Sequence, residues 1–230
     1  MARYRAAGET EHVKACVLLS AAKLFLTKGF SESTVKEIAK NAEISTSTMM
    51  YIFNSKEEIL SEIVSYVLEG QFAATRRLLQ GKTEDKILFY AAETTLQLHI
   101  AESSEHIREL YNSAYSMPKT SGIIQHTITG KLEEIFKDHL PHLETKDFYE
   151  LEIASGGIMR GFMTVPCDMY FTMERKVKRF LETTFLVYRV PDEKIAETIE
   201  FVSQFDFVTI ANNTVRSMLD YLEERISKIK

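Results

Sequence analysis

Apolar residues recur at three- and four-residue spacing along almost the whole chain, and very few helix breakers interrupt them. Ahead of residue 30, Val13, Val17, Ala21, Leu24 and Phe25 fall on one face of a helix. The 230 residues include only 9 Gly and 4 Pro, too few for the many tight turns of an all-β fold. Strand-like alternation never lasts beyond a few residues. The expected fold class is all-α, and the breakers say how the helices are divided.

Gly29 reads as the left-handed C-terminal cap of a helix over 10–28, with Phe30 placed for the apolar contact that accompanies such a cap. Thr34, three residues before Glu37, matches a capping box that opens a short helix over 34–41, with Ser33 as a competing cap. After a four-residue turn, Ser45 caps a second short helix that runs through Phe53. Ser55 and Glu58 form another box and open a long helix with Ile59, Leu60, Ile63, Val64 and Val67 inward. Further on, Gly81, Pro118, Pro141, Pro166 and Pro191 bound helices expected near 84–101, 104–116, 119–139, 146–165 and 173–189. A last helical stretch over 192–229 is expected to break at Asn212-Asn213.

The charge pattern restricts function by placement rather than amount. The net charge of −5 supplies no bulk attraction to nucleic acid or to an anionic membrane. Residues 1–60 carry 8 Lys/Arg against 7 acids, so a DNA-binding role has to come from local geometry. Two cysteines, Cys16 and Cys167, make no disulfide framework. The segment "KACVLLSAA" mimics a signal peptide, but Glu9 and Glu11 occupy its basic region and the helical pattern runs on to Phe25. No run reaches the ~18 apolar residues of a membrane span. A cytoplasmic protein with no membrane partner is expected.

Two short helices joined by a tight turn stack only if their facing residues are small or apolar. Between Thr34 and Phe53 those positions are Ile38, Ala39, Ala42, Ile44, Met49 and Ile52, while Lys36, Lys40, Thr46, Ser47, Thr48 and Tyr51 face out. This is the pattern of a DNA-binding helix-turn-helix. The ordered set Ala22, Leu24-Phe25, Gly29-Phe30, Thr34, Ile38-Ala39, Ser45 to Thr48, Phe53 and Ser55-Lys56-Glu57 resembles the N-terminal domain of TetR-type bacterial transcriptional regulators, over residues 11–68. Glu43 stands where that family usually has Gly, and Met50 where it has a tyrosine, with Tyr51 adjacent.

The resemblance implies a three-helix DNA-binding domain over 1–56 and a helical effector-binding and dimerisation domain over 57–230. It also implies phosphate and base contacts from Thr34, Ser45, Thr46, Ser47, Thr48, Tyr51 and Lys56. Hydroxyls suit such contacts because short side chains let a helix N-terminus approach the DNA backbone. Capping alone also explains Ser45. Arg3 and Arg5, in an N-terminal arm, are candidates for a minor groove.

The remainder of the chain suggests a partner and a ligand. Gly157 and Gly161 share a helical face in "SGGIMRGFM", and helical glycine costs roughly 1 kcal/mol against alanine. A homodimer interface, close intrachain packing and a kink each account for them. His99, Tyr111, Tyr115, Met117, Met159, Phe162 and Met163 are candidates to line an apolar effector pocket with a few polar tips, or are ordinary core. His139 and His142 have metal-like spacing, but Pro141 interrupts the helix and only Asp138 and Glu144 could complete a site, so no metal or cofactor is expected. No catalytic order, phosphate loop or paired carboxylates stand out, so an enzyme is not expected. The leading expectation is a ligand-released repressor, dimeric on a palindromic operator. The alternatives are a helical interaction protein that has lost DNA binding, or an all-α enzyme.

Overall fold

The structure, a computed structural model, describes the backbone of residues 2–229 and the side chains of 9–228. Eleven helices and no strand occur among the described residues: α1 Ala2–Lys28, α2 Val35–Asn41, α3 Thr46–Ile52, α4 Lys56–Leu79, α5 Lys86–Glu102, α6 Glu105–Ser116, α7 Pro118–Phe136, α8 Thr145–Thr164, α9 Met173–Val187, α10 Asp192–Ser203 and α11 Phe207–Ile229. Arg3 and Arg5, expected in an arm, fall in α1, and their side chains lie outside the described ones.

Capping chemistry sets most of the boundaries. Thr34 and Glu37 complete a reciprocal capping box at α2. Ser33, the competing cap, instead donates its hydroxyl to the Gly29 carbonyl at 2.6 Å. Ser55 accepts from Glu58 N, but the Glu58 carboxylate reaches back to Asn54, so only half of that box forms. Pro118 opens α7, where its missing N–H leaves nothing unsatisfied.

The expected break at Asn212-Asn213 is overturned. Both asparagines are exposed inside α11, where asparagine is only mildly unfavourable. The chain breaks instead between α10 and α11, and the Asp206 carboxylate accepts from Thr209 N to start the new helix.

Two apolar clusters form. One gathers α1, α2, α3 and the first half of α4 around Phe25, Ile38, Met49, Phe53 and Ile59. The other surrounds α5, whose residues are buried on nearly every side, as expected of a helix enclosed by its neighbours. Helices α4, α6, α7, α8, α9, α10 and α11 all pack against α5. The final helix returns to α1, joined to it by the Lys23–Glu223 and Arg225–Glu11 ion pairs. No described helix is long and apolar enough to cross a membrane.

Candidate nucleic-acid interface and effector cavity

Helices α2 and α3 stack through Ile38, Ala39 and Met49, all buried, while Ala42, Ile44 and Ile52 are half-buried. The turn between them is a Schellman motif: Ile44 N donates to Ala39 O and Glu43 N to Lys40 O, at 3.0 and 3.1 Å. That motif places Glu43 in the left-handed region, at φ 56°. The turn therefore keeps the shape a glycine would give it and carries the steric cost of a Cβ.

The hydroxyl cluster is organised before any partner arrives. Ser45 Oγ accepts from Thr48 N at 3.0 Å and lies 2.8 Å from both Ser47 Oγ and Thr48 Oγ1. Thr46, Ser47 and Thr48 are exposed, and Tyr51 is 89% exposed at the far end of α3. Thr34 is exposed at the start of α2 and exchanges hydrogen bonds with Glu37. Lys28 and Thr34 together hold the Glu37 carboxyl down at about 2.

Lys56 differs from its expectation as a phosphate contact. Its ammonium donates to Phe30 O at 2.6 Å and Ser33 O at 2.9 Å, and sits 4.3 Å from the Phe30 ring centroid. Burial pushes its pKa down. The three donors of an ammonium are thus directed at the turn between α1 and α2. That turn has a second clamp: Glu109 of α6 accepts from Ser31 N at 2.7 Å. Gly29 lies below it at φ 91°, where a Cβ would both strain the backbone and collide with the Glu109 carboxylate.

The other side of α6 faces a set of internal spaces. Tyr111 and Tyr115 line an apolar cavity of about 30 Å³ with Ile63, Val67 and Ile124. A second cavity, also about 30 Å³, lies among α4, α5, α7 and α8 and is lined by Tyr90, Glu93, Gln97, Glu152, Ser155 and Met159, among others. A wider opening of about 230 Å³ between α6, α7 and α8 leads toward solvent beside Ser121 and Gly157. Tyr115 lines all three. Its hydroxyl accepts from Gln97 Nε2 at 2.8 Å, which holds the ring as a partition between two spaces about the size of one water each and the wider opening.

The second cavity is polar in an unusual way. Tyr188 donates to Ser155 Oγ at 2.7 Å, and Ser155 Oγ lies 3.2 Å from Glu152 Oε2. Glu93, only 6% exposed, has no hydrogen-bond or ion-pair partner among the described residues. Burial raises Glu93 to about 8. Glu152 is also raised to about 8, by burial and further by Glu93. Gly156 makes room for the pair: a Cβ there would lie 2.9 Å from Glu152 Oε1.

Of the seven residues expected around a pocket, Tyr111, Tyr115 and Met159 line these spaces. The other four lie elsewhere. His99 stacks on Phe207 at 5.4 Å and bonds the Thr95 carbonyl, and burial lowers its pKa. Met117 caps α6 against the N-terminal cluster. Phe162 packs against Phe171 and Phe180, and Met163 is core at 1% exposure. Sequence reasoning missed Glu93, Gln97 and Glu152. A signal was present, since Tyr90, Glu93, Thr94 and Gln97 set a polar stripe along one face of α5.

The comparisons agree with this geometry. Residues 17–63 match the family model described as bacterial regulatory proteins, tetR family. A probable HTH-type transcriptional regulator, YttP of Bacillus subtilis (strain 168), is 27% identical over 165 residues, covering 70% of this chain and 72% of that one. The crystal structure of RolR in complex with resorcinol superposes with a TM-score of 0.66 at 17% identity, covering 86% of this chain and 97% of RolR. A gamma-butyrolactone receptor structure matches at a TM-score of 0.45 and 15% identity, over 91% of this chain and 99% of the receptor. With its stacked α2 and α3 and its hydroxyl-bearing α3, the N-terminal part of this chain carries the DNA-binding domain of the tetR family of bacterial regulatory proteins, and the whole chain shares its fold with RolR.

Proposed function

We propose that the protein is a TetR-type transcriptional regulator, a ligand-released repressor that binds a palindromic operator as a homodimer. The observation that carries this reading is the position of α6. One side of that helix supplies Tyr111 and Tyr115 to the internal spaces, and the other supplies Glu109 to the turn that precedes α2. An effector that displaces the Tyr115 partition shifts α6, and Glu109 carries the shift to the DNA-binding unit. A coupling of about 1–3 kcal/mol weakens operator binding about 5- to 150-fold.

In this reading Thr34, Ser45, Thr46, Ser47, Thr48 and Tyr51 meet phosphates and base edges, while Lys56 positions the unit from behind. Two copies are needed to present two α3 helices at the spacing of successive major grooves. The face of α8 carrying Gly157 and Gly161 supports a subunit contact: a Cβ at either glycine meets nothing within 4 Å. Tyr149, Ile153 and Leu186 are exposed on α8 and α9. RolR, which shares the fold, was solved with a small aromatic ligand, in keeping with a small-molecule effector here.

The test is a gel shift with the intergenic DNA beside the protein's own gene. A salt-sensitive, sequence-specific shift is expected, and it is lost when Thr46, Thr48 and Tyr51 are replaced together by alanine. No shift with any such fragment removes the reading.

A further inference from the structure

We propose that the effector is an organic cation, an amine or ammonium group on an aromatic or apolar body, held between Glu93 of α5 and Glu152 of α8. This rests on the ligand-responsive reading above and assigns the chemical class of the ligand for the same cavity.

The argument starts from what the cavity wall lacks. A buried carboxyl is tolerated when an ammonium, a guanidinium or several N–H donors face it. Glu93 has none of these among the described residues, although it is nine-tenths buried and lines the cavity. Among the described residues the Glu152 carboxylate accepts a hydrogen bond from the Ser155 hydroxyl alone. Lys131, the one cation on the same wall, directs its ammonium to Glu134 at 3.1 Å. Two acids therefore line one cavity whose single lining cation is turned to Glu134, while Arg160 lines the wider opening that Glu152 also borders.

The surroundings suit the rest of such a ligand. Tyr90, Tyr115 and Phe72 also line the cavity, and aromatic faces attract a desolvated cation. Gly156 leaves the Glu152 carboxylate room to face inward. Rotation of Tyr115 off Gln97 joins the cavity to the apolar space beside α4 and to the opening at Gly157, which gives the apolar body a place to lie. Anionic ligands are disfavoured by the same pair, since a negative charge entering the cavity would keep both acids protonated and add a further desolvated charge with no cation to meet it.

Binding of a cation also carries a proton signature. Around Glu93 the titratable or charged groups are Glu152, Tyr90, Tyr111, Tyr115 and Lys131. The tyrosines are pushed further above their ordinary values by burial and stay neutral. A cation converts the buried acid to its carboxylate, so at neutral pH binding releases a proton. A neutral hydroxylic ligand releases none.

The experiment titrates the full-length protein with phenethylamine, phenethyl alcohol and phenylacetate, which share a ring and differ in the charge of the head. Calorimetry in buffers of different ionisation enthalpy reads both affinity and proton release. The amine is expected to bind at least about ten-fold more tightly than the alcohol, with proton release, and phenylacetate not at all. Glu93→Gln is expected to reduce the amine to the level of the alcohol. If that variant does not fold, the ranking of the three probes on the wild-type protein decides alone. Equal binding of amine and alcohol, tighter binding of phenylacetate, an unchanged amine affinity in Glu93→Gln, or no binding of any probe overturns the proposal. Each titration is paired with a gel shift. Release of DNA by the alcohol alone keeps the ligand-responsive reading and removes the cation, whereas amine binding with no DNA shift on any fragment does the reverse.

Discussion

The two polar regions of this molecule treat their polar groups in opposite ways. In the helix-turn-helix unit, Ser45, Ser47 and Thr48 bond one another at the surface, and Lys56 and Glu109 close the turn behind them. In the cavity, Glu93 is left without a partner and Glu152 nearly so. Exposed hydroxyls exchange a protein partner for DNA or water at little cost, so they tolerate being organised in advance. A buried carboxyl is cut off from bulk water, so a partner inside the cavity is worth more to it than to an exposed hydroxyl. One region has its polar groups paired with one another, while the other encloses two acids with few partners among the described residues.

The sharpest way to break this contrast is pH. Glu93 and Glu152 are both raised to about 8 from an ordinary value of 4.5. Between those values the folded protein holds protons that the unfolded chain has released, so stability falls as pH rises. The loss is on the order of a kcal/mol per pH unit for each carboxyl and levels off above the folded value. Denaturant titrations from acid to mildly alkaline pH should show the decline, and Glu93→Gln and Glu152→Gln should each flatten it. A stability that is level across that window would mean the cavity acids are already satisfied.

Met49→Ala probes the opposite region. Met49 is fully buried beneath α3, and truncation of such a side chain costs about 2–5 kcal/mol. Operator binding should be lost while amine binding at the cavity persists, as read by gel shift and calorimetry on the same preparation. Lys56→Met comes next. It removes the ammonium from Phe30 O and Ser33 O while keeping the chain length, at an expected cost of about 1.5–3 kcal/mol in denaturant unfolding. Operator affinity should fall through loss of positioning, with a salt slope close to that of the wild type because no phosphate contact is removed.

The smallest effect is a gain. Glu43→Gly places glycine at φ 56° and should stabilise the unit by about 1 kcal/mol, visible as a rise in Tm of about 2–4 °C. A fall would mean that the Glu43 side chain contributes something beyond the backbone geometry.

Much of the helix-turn-helix was legible in the sequence because its determinants are local. Thr34 with Glu37, Ser45 with Thr48, and Gly29 after α1 act within a few residues of themselves. Even the left-handed position of Glu43 follows from the short turn it occupies. The cavity was far less legible. Tyr111, Tyr115 and Met159 lie on its walls, but His99, Met117, Phe162 and Met163 face other neighbours. Helical periodicity says which residues share a face and does not say which partner helix that face meets. The misplaced break at Asn212-Asn213 has a related cause: a helix already anchored by packing carries two exposed asparagines, and the Asp206 cap decides where it starts.

The all-α class, the helix-turn-helix and the likeness of residues 17–63 to the tetR family were determined by the sequence alone, because periodicity, caps and short turns are properties of neighbouring residues. Only the tertiary structure decided that Lys56 faces the chain's own carbonyls rather than outward, that Glu109 joins α6 to the DNA-binding unit, and that Glu93 and Glu152 line one cavity. These pairings join residues tens of positions apart, and burial gives them their chemistry. A glutamate in a list of residues is an ordinary acid; enclosed by the packed helices, with no counterion among the described residues, it is pushed up to about 8.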